Sequence, residues 1–215
     1  MNQPAANSLR AQFDAADAKR ASMHVIARDF SGVDLYVGNR QAASDPALLA
    51  KHGVNAVLNC ALNLDINVVQ NPAIDSRNQE FGRADLRYYK LGLIDGAGNP
   101  AEMLLAGYLQ LCGLMRQQMP NKATYPWPSG GHVLVNCRGG RSRSVVLVSL
   151  FLHVQRPASF PTLDAAIAYV RNMRHLDPVE WPSAPKPVLI EAAQWAASAA
   201  KLLQGHAFLQ GAAAQ

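Results

Sequence analysis

The sequence predicts an α/β fold, with a central, mainly parallel sheet flanked by helices. Three observations carry this. Short apolar, β-branched runs at 33–37 (VDLYV), 54–60 (VNAVLNC) and 132–136 (HVLVN) alternate with segments of helical periodicity. The first two are joined by only enough residues for one short helix, as in a βαβ unit with parallel strands. The third runs into a Gly- and Arg-rich turn and then into an apolar helix.

The elements follow in order. Residues 1–23 are polar and Ala-rich, an N-terminal arm or a short helix capped by Ser8 and bearing Leu9, Phe13 and Ala16. Strand 33–37 ends at Gly38-Asn39. Asp45-Pro46 opens the next helix, with the acid as N-cap and Pro at the first helical position, and Gly53 closes it. Residues 63–83 are irregular and polar, 86–93 (LRYYKLGL) form a strand, and 94–100 (IDGAGNP) are a loop of turn formers. A helix over 101–119 has Met103, Leu104, Tyr108, Leu111 and Met115 on one face. Residues 120–131 hold three prolines and two glycines and read as a loop. Helices are predicted over 144–155, from a Thr162 cap with Asp164 in its first turn, and over 187–204, stopped by Gly205. No internal repeat or second domain is visible. The domain is expected over 24–204, with 120–131 as an inserted loop and 205–215 as a tail.

Composition narrows the function classes. A chain of 215 residues that is 49% apolar can bury a real core, so wholesale disorder is excluded. Lys+Arg 20 against Asp+Glu 15 gives a net charge of +5. Of the 20 cations 14 are Arg, whose fork matches the oxygens of carboxylate or phosphate, which points to an anionic partner. No basic run interleaved with aromatics is present, so nucleic acid is not expected as a partner. The three cysteines, Cys60, Cys112 and Cys137, have no paired spacing, which argues against a disulfide scaffold or a cysteine-based zinc site. The six histidines form no ligand spacing, and no metal is expected. No apolar stretch reaches the ~18–20 residues of a transmembrane helix. Asp14, Asp17, Lys19 and Arg20 interrupt the place where a signal peptide needs an apolar run. A soluble, cytoplasmic protein is predicted.

The chemistry concentrates in 133–144 (VLVNCRGGRSRS). Cys137 ends a buried strand, and Arg143 follows six positions later at the start of a helix. Five residues between them suffice to bend the backbone around one small anion. Gly139 and Gly140 permit backbone angles and close approaches closed to other residues. The turn's amides then form a nest, to which the helix adds its N-terminal partial charge. Such a ring binds a phosphate dianion through N–H groups and a bidentate arginine, and favours the thiolate of Cys137. That thiolate can attack phosphorus, and Ser144 is placed to donate a hydrogen bond to the sulfur as it departs.

This C-x5-R run followed by Ser resembles the cysteine-based phosphatase superfamily. Three further segments resemble its dual-specificity branch in order: LYVGNRQAA its first core strand and turn, GVNAVLNCA its next strand, LGLIDGAGN its general-acid loop. The resemblance spans roughly Val33 to Trp195. It implies Cys137 as nucleophile, Arg143 as phosphate ligand, and Asp95 as the acid that protonates the leaving oxygen and then as base on water. The backbone amides of Arg138, Gly139, Gly140, Arg141 and Ser142 would complete the cradle, with no cofactor and no metal. Asp65 and Asp85 compete with Asp95 for the acid role.

Two features depart from that branch. Asn136 stands where the family usually has His before the nucleophile; Asn can still donate a hydrogen bond. The 42 positions from Asp95 to Cys137 exceed the usual spacing, with 120–131, including Trp127, as the insertion responsible. Phosphotyrosine is the default substrate, with phosphoserine or phosphothreonine in a shallow pocket. Arg138 and Arg141 also resemble the basic loop positions of phosphoinositide and phosphatidylglycerophosphate phosphatases, so the expected partner is a phosphoprotein or a phospholipid. Asn136 equally admits a weak, phosphate-binding module. A sulfur-transfer protein would need neither Ser144 nor Asp95. Cys60, at the end of its strand, is expected near Cys137, where it could trap it as a disulfide.

Overall fold

The strand that delivers Cys137 is the middle strand of a five-stranded sheet. The computed structural model describes residues 20–30, 32–69, 72–84, 86–118, 122 and 130–205. The sheet order is β1 (Met23–Phe30), β2 (Val33–Gly38), β7 (His132–Asn136), β3 (Val54–Ala61) and β6 (Arg87–Leu93). β2, β7, β3 and β6 run parallel, and β1 pairs antiparallel with β2 on the edge. A small hairpin, β4 (Ala73–Ile74) with β5 (Glu80–Phe81), interrupts the otherwise irregular 63–83 segment.

The parallel βαβ expectation holds with one change: β7, far later in the chain, is inserted between β2 and β3. β1 was not expected as a strand. Its register shifts between Val25 and Ala27 and again between Ala27 and Phe30, which breaks the period-2 alternation that reveals a strand. It begins at Met23, which is buried, one residue before the predicted domain boundary. The Ser8-capped helix, Trp127, Asp85 and the tail after Gly205 lie outside the described residues.

Six helices complete the described chain: α1 (Arg40–Ala43), α2 (Pro46–Lys51), α3 (Glu102–Met115), α4 (Arg143–Gln155), α5 (Leu163–Met173) and α6 (Pro187–Gly205). Their ends follow local chemistry. Asp45 Oδ1 accepts the Leu48 N–H at 3.0 Å, and Thr162 Oγ1 accepts the Ala165 N–H at 3.1 Å. α3 stops four residues short of the predicted Met119. Gln117 takes the left-handed conformation at φ 55°, and the N–H groups of Gln117 and Gln118 turn back to the carbonyls of Leu114 and Gly113. The same motif closes α5, with His175 at φ 52° and Leu176 N–H on Arg171 O, and Arg174 is the C-cap just past the helix.

The sheet carries a large core on one face and a small one on the other. Val133, Val135, Leu58, Cys60 and Cys137 face α3–α6, whereas Leu134, Val57 and Tyr36 face α1 and α2. α4 is buried on all sides, against the sheet, α3, α5 and α6, so its sequence (RSVVLVSLFLHVQ) lacks a polar stripe. Each of its fully buried Val, Leu and Phe side chains contributes about 1.5–3 kcal/mol. This burial anchors the start of α4, and with it the turn between β7 and α4.

Candidate active site

Residues 137–142 turn from the carboxyl end of β7 into α4. The outer surface of this turn is held by donors from three other segments. The Arg138 carbonyl accepts the Arg40 N–H at 3.1 Å, Gly139 O accepts from Arg20 Nη2 at 3.4 Å, and Gly140 O accepts from Arg174 Nε at 3.3 Å. In a planar trans peptide the N–H points opposite to the C=O. Three successive carbonyls held outward therefore turn the following amides toward the inside of the loop, as an anion nest requires. Gly140 has φ +63°, and a Cβ there would lie 2.6 Å from Gly38 O, so only glycine suits both the angle and the space.

The Cys137 thiol lies on the inside of this turn, 2% exposed, with Sγ 3.3 Å from Ser144 Oγ. Burial alone would push its pKa up. The Arg143 charge, the Ser144 hydroxyl and the Ser144 N–H outweigh that effect and hold the thiol below its ordinary value. The charge of Asp95 opposes them, which puts that carboxylate within electrostatic reach of the sulfur.

Arg143 is buried at 4% exposure. Its Nη1 donates to Asn63 Oδ1 at 3.0 Å and to the Leu93 carbonyl at 3.1 Å. Its Nε is buried and has no hydrogen-bond partner among the described residues. One corner of the fork is thus held by protein, and a donor remains for an anion. Sequence reasoning missed Asn63. The usable signal was its place just past β3, because loops at the carboxyl ends of parallel strands share one side of the sheet.

Asp95 is exposed on the loop after β6. Asn99 ties this loop: its Oδ1 accepts the Ile94 N–H at 2.8 Å, and its Nδ2 donates to Ile94 O at 3.0 Å and Gly96 O at 2.9 Å. The rival Asp65 is ion-paired with Lys90. The Ser142 hydroxyl accepts the Lys186 N–H at 3.2 Å. The Arg141 guanidinium stacks 3.8 Å from the ring centroid of Trp181, a residue with no role assigned from sequence. Arg171 fixes that wall by donating to Trp181 O at 3.0 Å and Ala184 O at 2.6 Å.

Asn136, which can donate a hydrogen bond, makes none among the described residues. Its amide is fully buried, and neither Nδ2 nor Oδ1 has a partner there. Strand alternation turns it to the face of Leu134, opposite Cys137. Its register partner Asn59 has committed its own amide to Leu64 O, Tyr88 Oη and the Ala61 N–H. Cys60 lies one step beyond Asn59, on the same face as Cys137, and burial, then the Cys137 charge, raise its pKa well above the usual thiol value. Among the described residues, no group of His, Cys, Asp or Glu could hold a metal ion, and no helix is long and apolar enough to cross a membrane.

No family model and no curated protein matches this sequence. Solved structures do match it. Human DUSP28 is 19% identical, with 84% of this chain and 95% of that one covered at a TM-score of 0.55. A mouse putative dual specificity phosphatase, complexed with zinc tungstate, is 20% identical over 85% of this chain and 91% of that one, at 0.57. The chain has the dual-specificity phosphatase fold. PTPMT1 shares this fold at 18% identity, 85% and 98% coverage and a TM-score of 0.55. In this phosphatase fold the Cys137 turn occupies the carboxyl end of the central parallel strand, where open α/β sheets bind ligands.

Proposed function

We propose that this protein is a cysteine-dependent phosphatase that hydrolyses phosphomonoesters through a phosphocysteine intermediate. Phosphotyrosine is the default substrate, and phosphoserine or phosphothreonine are alternatives. The observation that carries the reading is the Cys137 thiol. It is buried, lies 3.3 Å from Ser144 Oγ, and is held below its ordinary pKa chiefly by Arg143 against the cost of burial.

In the first step the Cys137 thiolate attacks phosphorus and the ester P–O bond breaks. Asp95 donates its proton to the departing oxygen, a contribution of about 10²–10⁴-fold for general acids. The equatorial oxygens are held by the loop amides of 138–142 and by the Arg143 donors that Asn63 and Leu93 leave available. In the second step Asp95, now a carboxylate, takes a proton from water as that water attacks phosphorus. The P–S bond breaks, and Ser144 Oγ donates to the departing sulfur.

A second reading has specific support. Arg141, fixed on Trp181 at the rim, and Arg138 bring two further cations to the loop, suited to a substrate with more than one phosphate, such as a phosphoinositide or glycerophospholipid.

The test is phosphate release from phosphotyrosine, phosphothreonine and phosphoserine peptides, phosphoinositides and phosphatidylglycerophosphate, with Cys137→Ser as the blank. Turnover absent from the blank supports the cysteine mechanism, and the preferred substrate separates protein from lipid. Tungstate binding without turnover on any substrate would overturn the enzyme reading in favour of a phosphate-binding module.

A further inference from the structure

The guanidinium of Arg143 must be aimed without being discharged. A carboxylate would aim it well, but a paired negative charge beside it would cancel the field at Cys137 and compete with the bound anion. Both groups that hold Nη1 here are neutral: the Asn63 amide oxygen at 3.0 Å and the Leu93 carbonyl at 3.1 Å. Among the described residues Arg143 makes no ion pair. Its buried positive charge is therefore matched by no carboxylate among the described residues and acts on the Cys137 sulfur, while one corner of the fork is fixed in direction.

We infer that Asn63 is a positioning residue for Arg143, a neutral anchor that orients the guanidinium toward the anion and leaves its full charge to the thiolate and the substrate. The inference rests on the phosphatase reading for its role in turnover, but the anchoring itself concerns anion binding and thiol chemistry. The groups that face the Cys137 sulfur are Arg143 and Ser144 from α4, Asp95 from the loop after β6, and Cys60 from β3. Of these, only Arg143 is directly bonded to Asn63. Leu93 sits two residues before Asp95, so the same Nη1 also links the arginine to the base of the acid loop. Asn63 is exposed, so substituting it opens no cavity in the core.

The test compares Asn63→Ala and Asn63→Asp with the wild type. The rate of Cys137 alkylation by neutral iodoacetamide is followed across pH by peptide mass, with and without inorganic phosphate as protectant. Asn63→Asp is expected to move the alkylation midpoint upward and cut the rate at pH 6 by about fivefold to tenfold, because it pairs Arg143 with a carboxylate. It should also weaken phosphate protection. Asn63→Ala is expected to keep the midpoint near the wild-type value and weaken phosphate protection by about fivefold, because it loses aim but not charge. An Asn63→Asp profile that overlays the wild type, or an Asn63→Ala midpoint shifted as far as that of Asn63→Asp, would overturn the inference. The alkylation readout needs no turnover. A wild type that releases no phosphate from any ester but gives the expected profiles would sink the enzyme reading and leave the anchor standing.

Discussion

Arg174 Nη1 stands 2.6 Å from Nδ1 of His24. A guanidinium can only donate, so Nδ1 accepts, and the imidazole is neutral with its proton on Nε2. Burial, then the charges of Arg174, His175 and Arg20, lower the His24 pKa from 6.5 to about 4. Arg174 is itself fully buried and donates to Gly140 O, so the histidine on β1 braces the back of the phosphate loop.

This pair makes stability depend on pH with a definite sign. The folded pKa lies below the unfolded one, so the unfolded chain takes up the proton first as pH falls. The contribution is whole above about pH 6.5 and is lost between about 6.5 and 4. Solvent screening of the half-buried ring trims it to about 1–2 kcal/mol. Between pH 7 and 4.5 the wild-type Tm is expected to fall further than that of His24→Gln. Equal falls would remove His24 as the cause.

The acid loop separates by leaving group. Asp95→Asn is expected to cut kcat on phosphotyrosine by about 100-fold, and to have little effect on an aryl phosphate whose leaving oxygen needs no proton. Asn99→Ala, which releases the three bonds around Ile94 and Gly96, should cost about tenfold with the same leaving-group dependence. A loss from Asn99→Ala of equal size on both substrates would mean that the loop acts on something other than proton transfer.

Cys60 and Cys137 make a redox prediction. Asn59 pairs with Asn136 across parallel β3 and β7, so the next residues, both free cysteines, continue side by side. Neighbouring strands lie about 4.8 Å apart, within the usual Cα range for a disulfide. Peroxide would oxidise the Cys137 thiolate to a sulfenic acid. The Cys60 thiol would then attack that sulfur, expelling water and forming the disulfide, which a thiol reductant reopens. After mild peroxide, dithiothreitol is expected to restore wild-type activity and to restore Cys60→Ser only in part. Equal recovery of both would exclude the pair.

The two loop glycines should differ. Gly140→Ala is expected to destabilise by about 2–4 kcal/mol in urea unfolding, since its Cβ meets Gly38 O at 2.6 Å at a φ of +63°. Gly139→Ala meets the far end of the Arg141 side chain first, at 2.9 Å, and should cost only about 1 kcal/mol, the loss of the Arg141 stack on Trp181. A Gly139→Ala loss as large as that of Gly140→Ala would contradict this account of the turn.

Much of the molecule is written in short stretches of sequence. The strands 33–37, 54–60 and 132–136, the Asp45 and Thr162 caps, and the run from Cys137 to Ser144 could all be read directly. Each depends on residues within a few positions of one another, where backbone geometry and side-chain reach leave little choice. Tertiary structure decided the rest: β7 between β2 and β3, β1 on the edge, Asn63 on Arg143, Arg174 behind Gly140, Trp181 under Arg141. Asn63 and Arg143 are 80 residues apart, and His24 and Arg174 are 150 apart. Asn63 and Arg143 meet because parallel strands bring their carboxyl-end loops to one side of the sheet, and antiparallel β1 starts, with His24, on that same side. Strand order is set by burying both faces of the whole sheet, and no local pattern in the sequence encodes it.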